Sequence, residues 1–210
     1  MKRLVIYVHG KGGVKEEANH YIPLFTDSDV IGLDYKATNP WEAKEEFPLL
    51  FDKYSKNYDS VVVVANSIGA YFVMHALEGK NISKAFFISP LVNMERLILD
   101  MMMWANVTED ELYERKKINT SFGETLSWDY LTYVRKHPLK WNIPTHILYG
   151  EKDHLTSLET ISNFSKEINA TLTIMKNGEH YFHLEDQMRF LDEWILKFNV
   201  PKASNNNRTN

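Results

Sequence analysis

The fold is decided by the stretch Val61-Val62-Val63-Val64-Ala65-Asn66-Ser67-Ile68-Gly69-Ala70. Valine side chains favour an extended backbone, and four in succession place apolar groups on both faces of a strand. The run therefore predicts a central strand of a sheet that is covered on both sides. After the serine the apolar spacing becomes that of a helix, with one face formed by Ile68, Tyr71, Phe72 and His75.

The predicted strand and helix meet at Ser67, which has a small residue two positions before it and another two positions after it. A serine at a sharp strand-to-helix turn, in the pattern G-x-S-x-G, forms a nucleophile elbow. Here Ala65 stands in place of the first glycine, and Gly69 is the second. Because the turn brings these two positions close together, a larger side chain would push strand and helix apart. The alternative is structural, since a serine after a strand often caps the following helix.

Length and composition are those of one globular domain, which we expect to span residues 1–200, followed by a disordered tail at 201–210. The chain has 210 residues, of which 44% are hydrophobic and 25% charged, close to ordinary globular values. Its net charge of -4 gives no reason to expect nucleic acid or an anionic membrane surface as a partner.

The sequence carries no signal for a metal, a cofactor or a membrane. It has no cysteine, and its eight histidines form no H-E-x-x-H cluster, so we expect neither a metal nor a cofactor. No apolar run approaches membrane-spanning length, and the apolar run at the N-terminus is too short for a signal peptide. These features predict a cytoplasmic protein.

Apolar runs predict strands that alternate with helices along most of the chain. The predicted strands are 4–8, 30–34, 61–64, 85–88, 145–149 and 171–175, and helical spacing is found at 41–58, 68–75, 158–168 and 184–198. Pro48 should kink the helix at 41–58 or mark a new helix start. Strands that alternate with helices predict the α/β class, with a mostly parallel sheet and helices on both faces.

Residues 93–141 interrupt this alternation. Apolar residues at helical spacing open the segment, Thr108-Glu109-Asp110-Glu111 reads as a capping box, and a third helix is predicted at 127–136. We find no credible strand in the segment. The sequence therefore predicts an all-helical insertion between two strands of the sheet.

Residues capable of chemistry follow four of the predicted strands. They are His9-Gly10-Lys11-Gly12-Gly13, Ser67, Asp153 and His180. Parallel sheets bind ligands beyond the carboxyl ends of their strands, which is where all four lie. A serine nucleophile needs a base, usually histidine, and the histidine needs a carboxylate to orient it. Asp153 could instead cap the next helix, and the glycine-rich segment could be a plain loop, although it lacks the G-K-[ST] of a Walker A motif.

Together these motifs resemble those of a small α/β-hydrolase of the serine-hydrolase type, over roughly residues 3–198. The segment from His9 to Gly13 is similar to the family's H-G-x-G loop, and the segment from Ala65 to Gly69 to its nucleophile elbow. Tyr149-Gly150-Glu151-Lys152-Asp153 resembles the acid turn, and Gly178-Glu179-His180-Tyr181-Phe182 the histidine loop. The order of serine, acid and histidine is also that of the family.

The resemblance implies a role for each matching residue. Ser67 would attack an acyl carbonyl, His180 would be the general base and then the acid, and Asp153 would orient His180. The oxyanion hole would consist of the backbone N–H groups of Lys11 and Ile68, and the supporting loop would include His9, Gly10 and Gly12.

The insertion at 93–141 matches the position at which the resembled family carries a lid. The resemblance therefore offers five apolar residues of this segment as substrate-binding candidates: Met101, Met102, Trp104, Phe122 and Trp128. Ordinary core packing is the alternative for the methionine-rich helix. Lys11 could meet an anionic substrate, or it could simply be solvated.

Two functions follow from the sequence. The first is a serine hydrolase that cleaves a small carboxylic ester or thioester through an acyl-enzyme intermediate, with a small-molecule acyl substrate as its partner. The second is a protein of the same fold that binds a ligand or a partner without turnover.

Overall fold

The computed structural model describes residues 1–199, so the predicted disordered tail at 201–210 lies outside the described residues. The strands of this part are β1 (Arg3–Val8), β2 (Asp29–Gly32), β3 (Ser60–Asn66), β4 (Lys84–Ile88), β5 (Lys117–Asn119), β6 (Thr125–Ser127), β7 (Thr145–Gly150) and β8 (Thr171–Met175). The α-helices are α1 (Pro40–Ser55), α2 (Ile68–Ala76), α3 (Met94–Trp104), α4 (Glu109–Arg115), α5 (Trp128–Lys136), α6 (Leu158–Glu167) and α7 (Glu185–Phe198).

Six of these strands form one sheet in the order β2-β1-β3-β4-β7-β8, and neighbouring strands pair in parallel. Helices pack on both sides of it, which confirms the predicted α/β class. The order changes direction between β1 and β3, so this sheet has its topological switch point there. Ligands of open parallel sheets bind beyond the strand ends at such a point.

The valine run lies in the middle of this sheet and is buried on both faces. Val61 and Val63 belong to one apolar core, and Val62 and Val64 belong to the other. The first core includes side chains of α1, α2, α3 and α6, and the second includes side chains of α7 and of the segment 15–24. Two-sided burial explains why this strand is apolar throughout rather than alternating.

The prediction that 93–141 contains no strand is wrong. The insertion comprises α3, α4 and α5, but β5 and β6 form an antiparallel hairpin between the last two helices. Each strand of the hairpin has three residues, with only its central residue, Ile118 or Leu126, buried. Three residues are too few for an alternating pattern to be distinguished in sequence. The hairpin turns at Gly123, whose φ of 85° favours glycine.

Two further segments differ from the sequence prediction. A 3₁₀ helix covers Lys15–Leu24, where polar composition concealed the buried Ala18 and Tyr21. The helix α1 runs through Pro48, so this proline does not start a new helix. Within residues 1–199, no helix is long and apolar enough to cross a membrane.

A close backbone contact fixes the start of α2 against the end of β1. A Cβ atom added at Gly69 would lie 2.2 Å from the carbonyl oxygen of His9 and 2.9 Å from that of Val8. Space at position 69 is therefore limited by the end of β1, whereas the sequence argument had attributed the requirement to a meeting between positions 65 and 69. Ala65 is fully buried in β3, opposite Val8 of β1.

We expect Gly69→Ala to destabilise the protein by about 3 kcal/mol, since the main chain cannot move away cheaply from an overpacked site. Gly79→Ala is the control: unlike Gly69, Gly79 has a positive φ of 78°, and a Cβ there would meet no atom within 4 Å. Its cost should stay near the roughly 1 kcal/mol of a left-handed alanine. Urea denaturation measures both, and equal losses would show that the contact with β1 is unimportant.

Candidate active site

Ser67 lies at the sharp turn between β3 and α2 in a backbone conformation that few non-glycine residues adopt. Its φ is 50° and its ψ is -120°. The turn is held by the N–H of Ser67, which donates to the carbonyl of Ile88 at 2.9 Å, and by the carbonyl of Ser67, which accepts from Ala70 and Leu91. Strained residues of this kind persist where surrounding structure over-determines them, often at functional sites.

The hydroxyl of Ser67 does not cap α2. The residue occupies the N-cap position, but its side chain makes no hydrogen bond to the helix. Its Oγ lies 2.8 Å from Nε2 of His180 instead. The structure therefore disfavours the helix-cap interpretation and places a histidine next to the serine.

His180 lies in the loop between β8 and α7, and it is 1% exposed. Its Nδ1 lies 2.7 Å from Oδ2 of Asp153, and both side chains are completely buried. Because a carboxylate can only accept, Nδ1 carries the proton in this arrangement and Nε2 is free to accept one from the serine. The three sequence-predicted residues thus form one hydrogen-bonded chain.

Asp153 also has a local role in its own turn. Its second oxygen, Oδ1, accepts from the N–H groups of Leu155 and Thr156 at 2.8 and 3.1 Å. The cap of α6 is a different residue, Ser157. One carboxylate oxygen therefore fixes the turn while the other faces the histidine, and the expectation that Asp153 could cap the next helix is wrong.

The acid turn and the histidine loop touch through their backbones. A Cβ at Gly150 would lie 2.5 Å from the carbonyl oxygen of Glu179 and 2.6 Å from that of Gly178. The N–H of Lys152 donates to the carbonyl of Gly178 at 2.8 Å. This close approach brings the aspartate and the histidine within hydrogen-bonding distance although 27 residues separate them.

Tyr149 opens the acid turn named above, but the sequence assigned it no role of its own. Its hydroxyl donates to the carbonyl of Thr156 at 2.8 Å and so closes the turn that carries Asp153. Burial, together with the negative charge of Asp153, raises the pKa of Tyr149 to about 12, so the phenol remains a donor at neutral pH. Nothing in the sequence distinguishes it from an ordinary core tyrosine.

The glycine-rich loop after β1 lies against the elbow. A Cβ at Gly10 would be 3.2 Å from Cβ of Ser67. The N–H of Gly13 donates to the carbonyl of Gly10 at 3.1 Å, and Gly12 between them has a φ of 75°. These features are those of a type II turn with Lys11 and Gly12 at its centre.

His9, the residue after β1, contacts both this loop and Tyr35. The ring of His9 stacks on that of Tyr35 with centroids 4.3 Å apart, and its Nδ1 lies 2.8 Å from the carbonyl oxygen of Gly10. The hydroxyl of Tyr35 donates to the carbonyl oxygen of His9 at 2.8 Å. Tyr35 follows β2, and the sequence argument did not find it.

The insertion reaches the glycine-rich loop through an ion pair. Nζ of Lys11 bonds Glu124, which follows Gly123 in the hairpin turn. The Lys11 side chain stays 64% exposed, so this is a surface ion pair, and an anionic substrate would have to compete with Glu124 for it. Phe122 of the same turn contacts Trp104 of α3 edge-on at 6.2 Å, and both rings remain partly exposed, at 43% and 49%.

The other substrate-binding candidates in the insertion are more buried. Met102 is 4% exposed and belongs to the first apolar core, and Met101 and Trp128 pack against that core. Their positions favour the core-packing alternative. Trp104 and Phe122 remain the candidates whose rings are accessible.

A cavity of about 580 Å³ lies elsewhere, between α3 and α6. It is lined largely by polar residues such as Arg96 and Glu159, and it reaches Leu155 and Thr156 behind the acid turn. Neither Ser67 nor His180 lines it, so its size does not identify the site of chemistry. Within residues 1–199, no cluster of three or more His, Asp, Glu or Cys residues could hold a metal ion.

Comparison with solved structures identifies related folds. Est1E from Butyrivibrio proteoclasticus is 19% identical, with a TM-score of 0.73 over 94% of this chain and 87% of its own. The alpha/beta hydrolase domain-containing protein 10 from mouse is 12% identical, with a TM-score of 0.72 over 91% and 87%. The esterase Pf2001 from Pyrococcus furiosus is 20% identical, with a TM-score of 0.60 over 94% and 79%.

No protein-family model and no curated protein matches the chain. At the identities of the three solved structures, the likeness establishes a shared fold and leaves the chemistry to be argued from this chain's own residues.

The two histidines after β8 give a direct test of the site. His183 is exposed and its Nδ1 lies 2.7 Å from the carbonyl of Tyr181, whereas His180 faces the serine. On a reporter ester, His180→Ala should lower kcat on the order of 10³-fold or more, the scale of losing a triad member. His183→Ala is the matched control and should cost roughly tenfold or less. The reverse ranking would move the base to His183.

Proposed function

We propose that this protein, which has the α/β-hydrolase fold, is a serine hydrolase that cleaves a small carboxylic ester or thioester through an acyl-enzyme intermediate. The observation that carries the proposal is the buried chain from Ser67 through His180 to Asp153, with contacts of 2.8 and 2.7 Å. Ser67 also lies at a strained turn just beyond the end of the central strand β3. Both features are expected of an activated nucleophile.

In the proposed reaction, Nε2 of His180 takes the proton from Oγ of Ser67 as the oxygen attacks the acyl carbonyl. The imidazolium then gives this proton to the leaving alcohol or thiol, and the acyl group stays on the serine. Water attacks the acyl-enzyme with His180 again as the base, which releases the acid and restores the serine. In both acylation and deacylation, Asp153 keeps a proton on Nδ1 of His180 and stabilises the imidazolium that forms.

The proposed oxyanion hole consists of two backbone amides. The N–H of Ile68 is the first of α2, a position without an intrahelical acceptor. The N–H of Lys11 belongs to the first central residue of the turn after β1, and the turn's own hydrogen bond does not use it. We propose that both donate to the oxygen that becomes negative in the transition state, with His9, Gly10 and Gly12 supporting the loop.

The insertion supplies apolar surface for the acyl group. Trp104 and Phe122 form an accessible aromatic pair, and the ion pair between Lys11 and Glu124 ties their hairpin to the glycine-rich loop. We propose that this pair contacts the substrate, with Met101, Met102 and Trp128 shaping the surface from behind. The fold's likeness to an esterase supports an ester substrate.

Ser67→Ala should abolish turnover of p-nitrophenyl esters and acyl thioesters with chains from acetyl to octanoyl. We expect kcat/KM to fall by about 10³-fold or more while the unfolding transition stays unchanged, because among residues 1–199 the hydroxyl is hydrogen-bonded to His180 alone. Ser60→Ala is the control, since Ser60 lies at the opposite end of the same strand. More than a few per cent residual activity would contradict the assignment, and an inactive wild-type protein would favour binding without turnover.

A further inference from the structure

We propose that Glu17 is a positioning residue of the active site: it ties the turn at Gly10–Gly13 to Tyr7 of β1 and thereby holds the N–H of Lys11 toward Ser67. This inference rests on the proposed function, because it assigns a task to a residue outside the Ser67–His180–Asp153 chain. Glu17 itself touches no reacting atom.

The turn after β1 needs an anchor because of its composition. Three of its four residues, Gly10, Gly12 and Gly13, lack side chains and are conformationally permissive. One hydrogen bond, from the N–H of Gly13 to the carbonyl of Gly10, closes it. The direction of the Lys11 N–H depends on the rotation of this short segment, so any contact that fixes the segment also aims the amide.

Glu17, in the 3₁₀ helix, contacts the C-terminal end of this turn at Gly13 and Val14. Its Oε1 accepts from the N–H of Val14 at 3.1 Å. A Cβ added at Gly13 would lie 2.7 Å from the same oxygen, so the carboxylate packs directly against the glycine backbone. The first hydrogen bond is an ordinary capping interaction, whereas the packing against Gly13 couples the carboxylate to the turn.

The other oxygen of Glu17 connects the turn to the sheet. Oε2 accepts from the hydroxyl of Tyr7 at 2.6 Å. Tyr7 is 2% exposed and belongs to β1, paired with Val64 on one side and Gly32 on the other. Because Tyr7 is buried on an inner strand of the sheet, its hydroxyl is held in a fixed position. Glu17, bonded to this hydroxyl, is therefore also held in place against the loop.

The same tyrosine lies beside the nucleophile elbow. Tyr7 pairs with Val64 of β3, two residues before Asn66. Asn66 directly precedes Ser67. Glu17 and Tyr7 therefore connect the turn at Gly10–Gly13 to the strand pair that carries the elbow, and a cap that served only the 3₁₀ helix would not require this connection.

An oxyanion donor acts mainly on the transition state, so misplacing it should lower kcat and leave KM nearly unchanged. Removal of such a donor costs about 10²–10³ in kcat. For Glu17→Ala we expect a smaller loss, about 10- to 100-fold, because the amide remains present. Glu17→Gln retains an acceptor for Val14 and should fall between the alanine variant and wild type. Tyr7→Phe keeps the packed ring, removes the hydroxyl and should resemble Glu17→Ala.

Glu16→Ala is the matched control, since Glu16 is the exposed neighbour in the same first turn. Two measurements decide the matter: kcat and KM on one reporter ester, and hydrogen exchange of the segment 10–14 in the free protein. Faster exchange and lower kcat in Glu17→Ala and Tyr7→Phe, with Glu16→Ala like wild type, support the proposal. Unchanged exchange or a change confined to KM overturns it.

The kinetic and hydrogen-exchange measurements together distinguish a failure of this inference from a failure of the proposed function. If wild type shows no turnover, the proposed function fails, and the exchange measurement alone judges whether Glu17 holds the turn. If wild type turns over and Glu17→Ala retains more than half of kcat, the proposed function stands and the positioning role is rejected.

Discussion

The structure depends on one strained turn, at Ser67, where the central strand gives way to α2. A non-glycine residue at a φ of 50° costs about 1–3 kcal/mol and persists only where its surroundings over-determine it. Here the carbonyl of Ile88 holds the serine N–H, and the backbone of His9 leaves no space for a side chain at Gly69. The valine strand, buried on both faces, is the rigid support on which this turn is built.

The remaining parts of the site are arranged around that turn by the parallel sheet. Because every strand of the six-stranded sheet runs in the same direction, the loops after β1, β3, β7 and β8 emerge at one edge. Each loop is then fixed by a close backbone approach or by a tyrosine hydroxyl, as with Gly150 against Glu179 and Tyr149 at the acid turn. Short, buried connections of this kind hold the side chains of Ser67, His180 and Asp153 in place.

The sequence predicted what depends on local pattern. Ser67, Asp153 and His180 were found because each follows an apolar strand, and the structure brings these three side chains together. The hairpin of β5 and β6 was missed because three-residue strands carry no periodicity. The roles of Tyr149, Tyr35 and Glu17 were missed for another reason: their partners are set by tertiary contacts, and tyrosines or an exposed glutamate are common in any sequence. Met102 is the opposite case: the sequence offered it as a substrate-binding residue, but its side chain is buried in the apolar core.

Covalent trapping tests most directly whether Ser67 is a nucleophile activated by His180. A fluorophosphonate reacts with a serine whose hydroxyl has been activated by a neighbouring base. Incubation followed by peptide mass spectrometry should locate one phosphonyl group per chain, on the peptide that contains Ser67, and the same treatment of His180→Ala should give at most slow labelling. An unmodified wild-type protein, or a phosphonyl group on a different serine, would contradict the account.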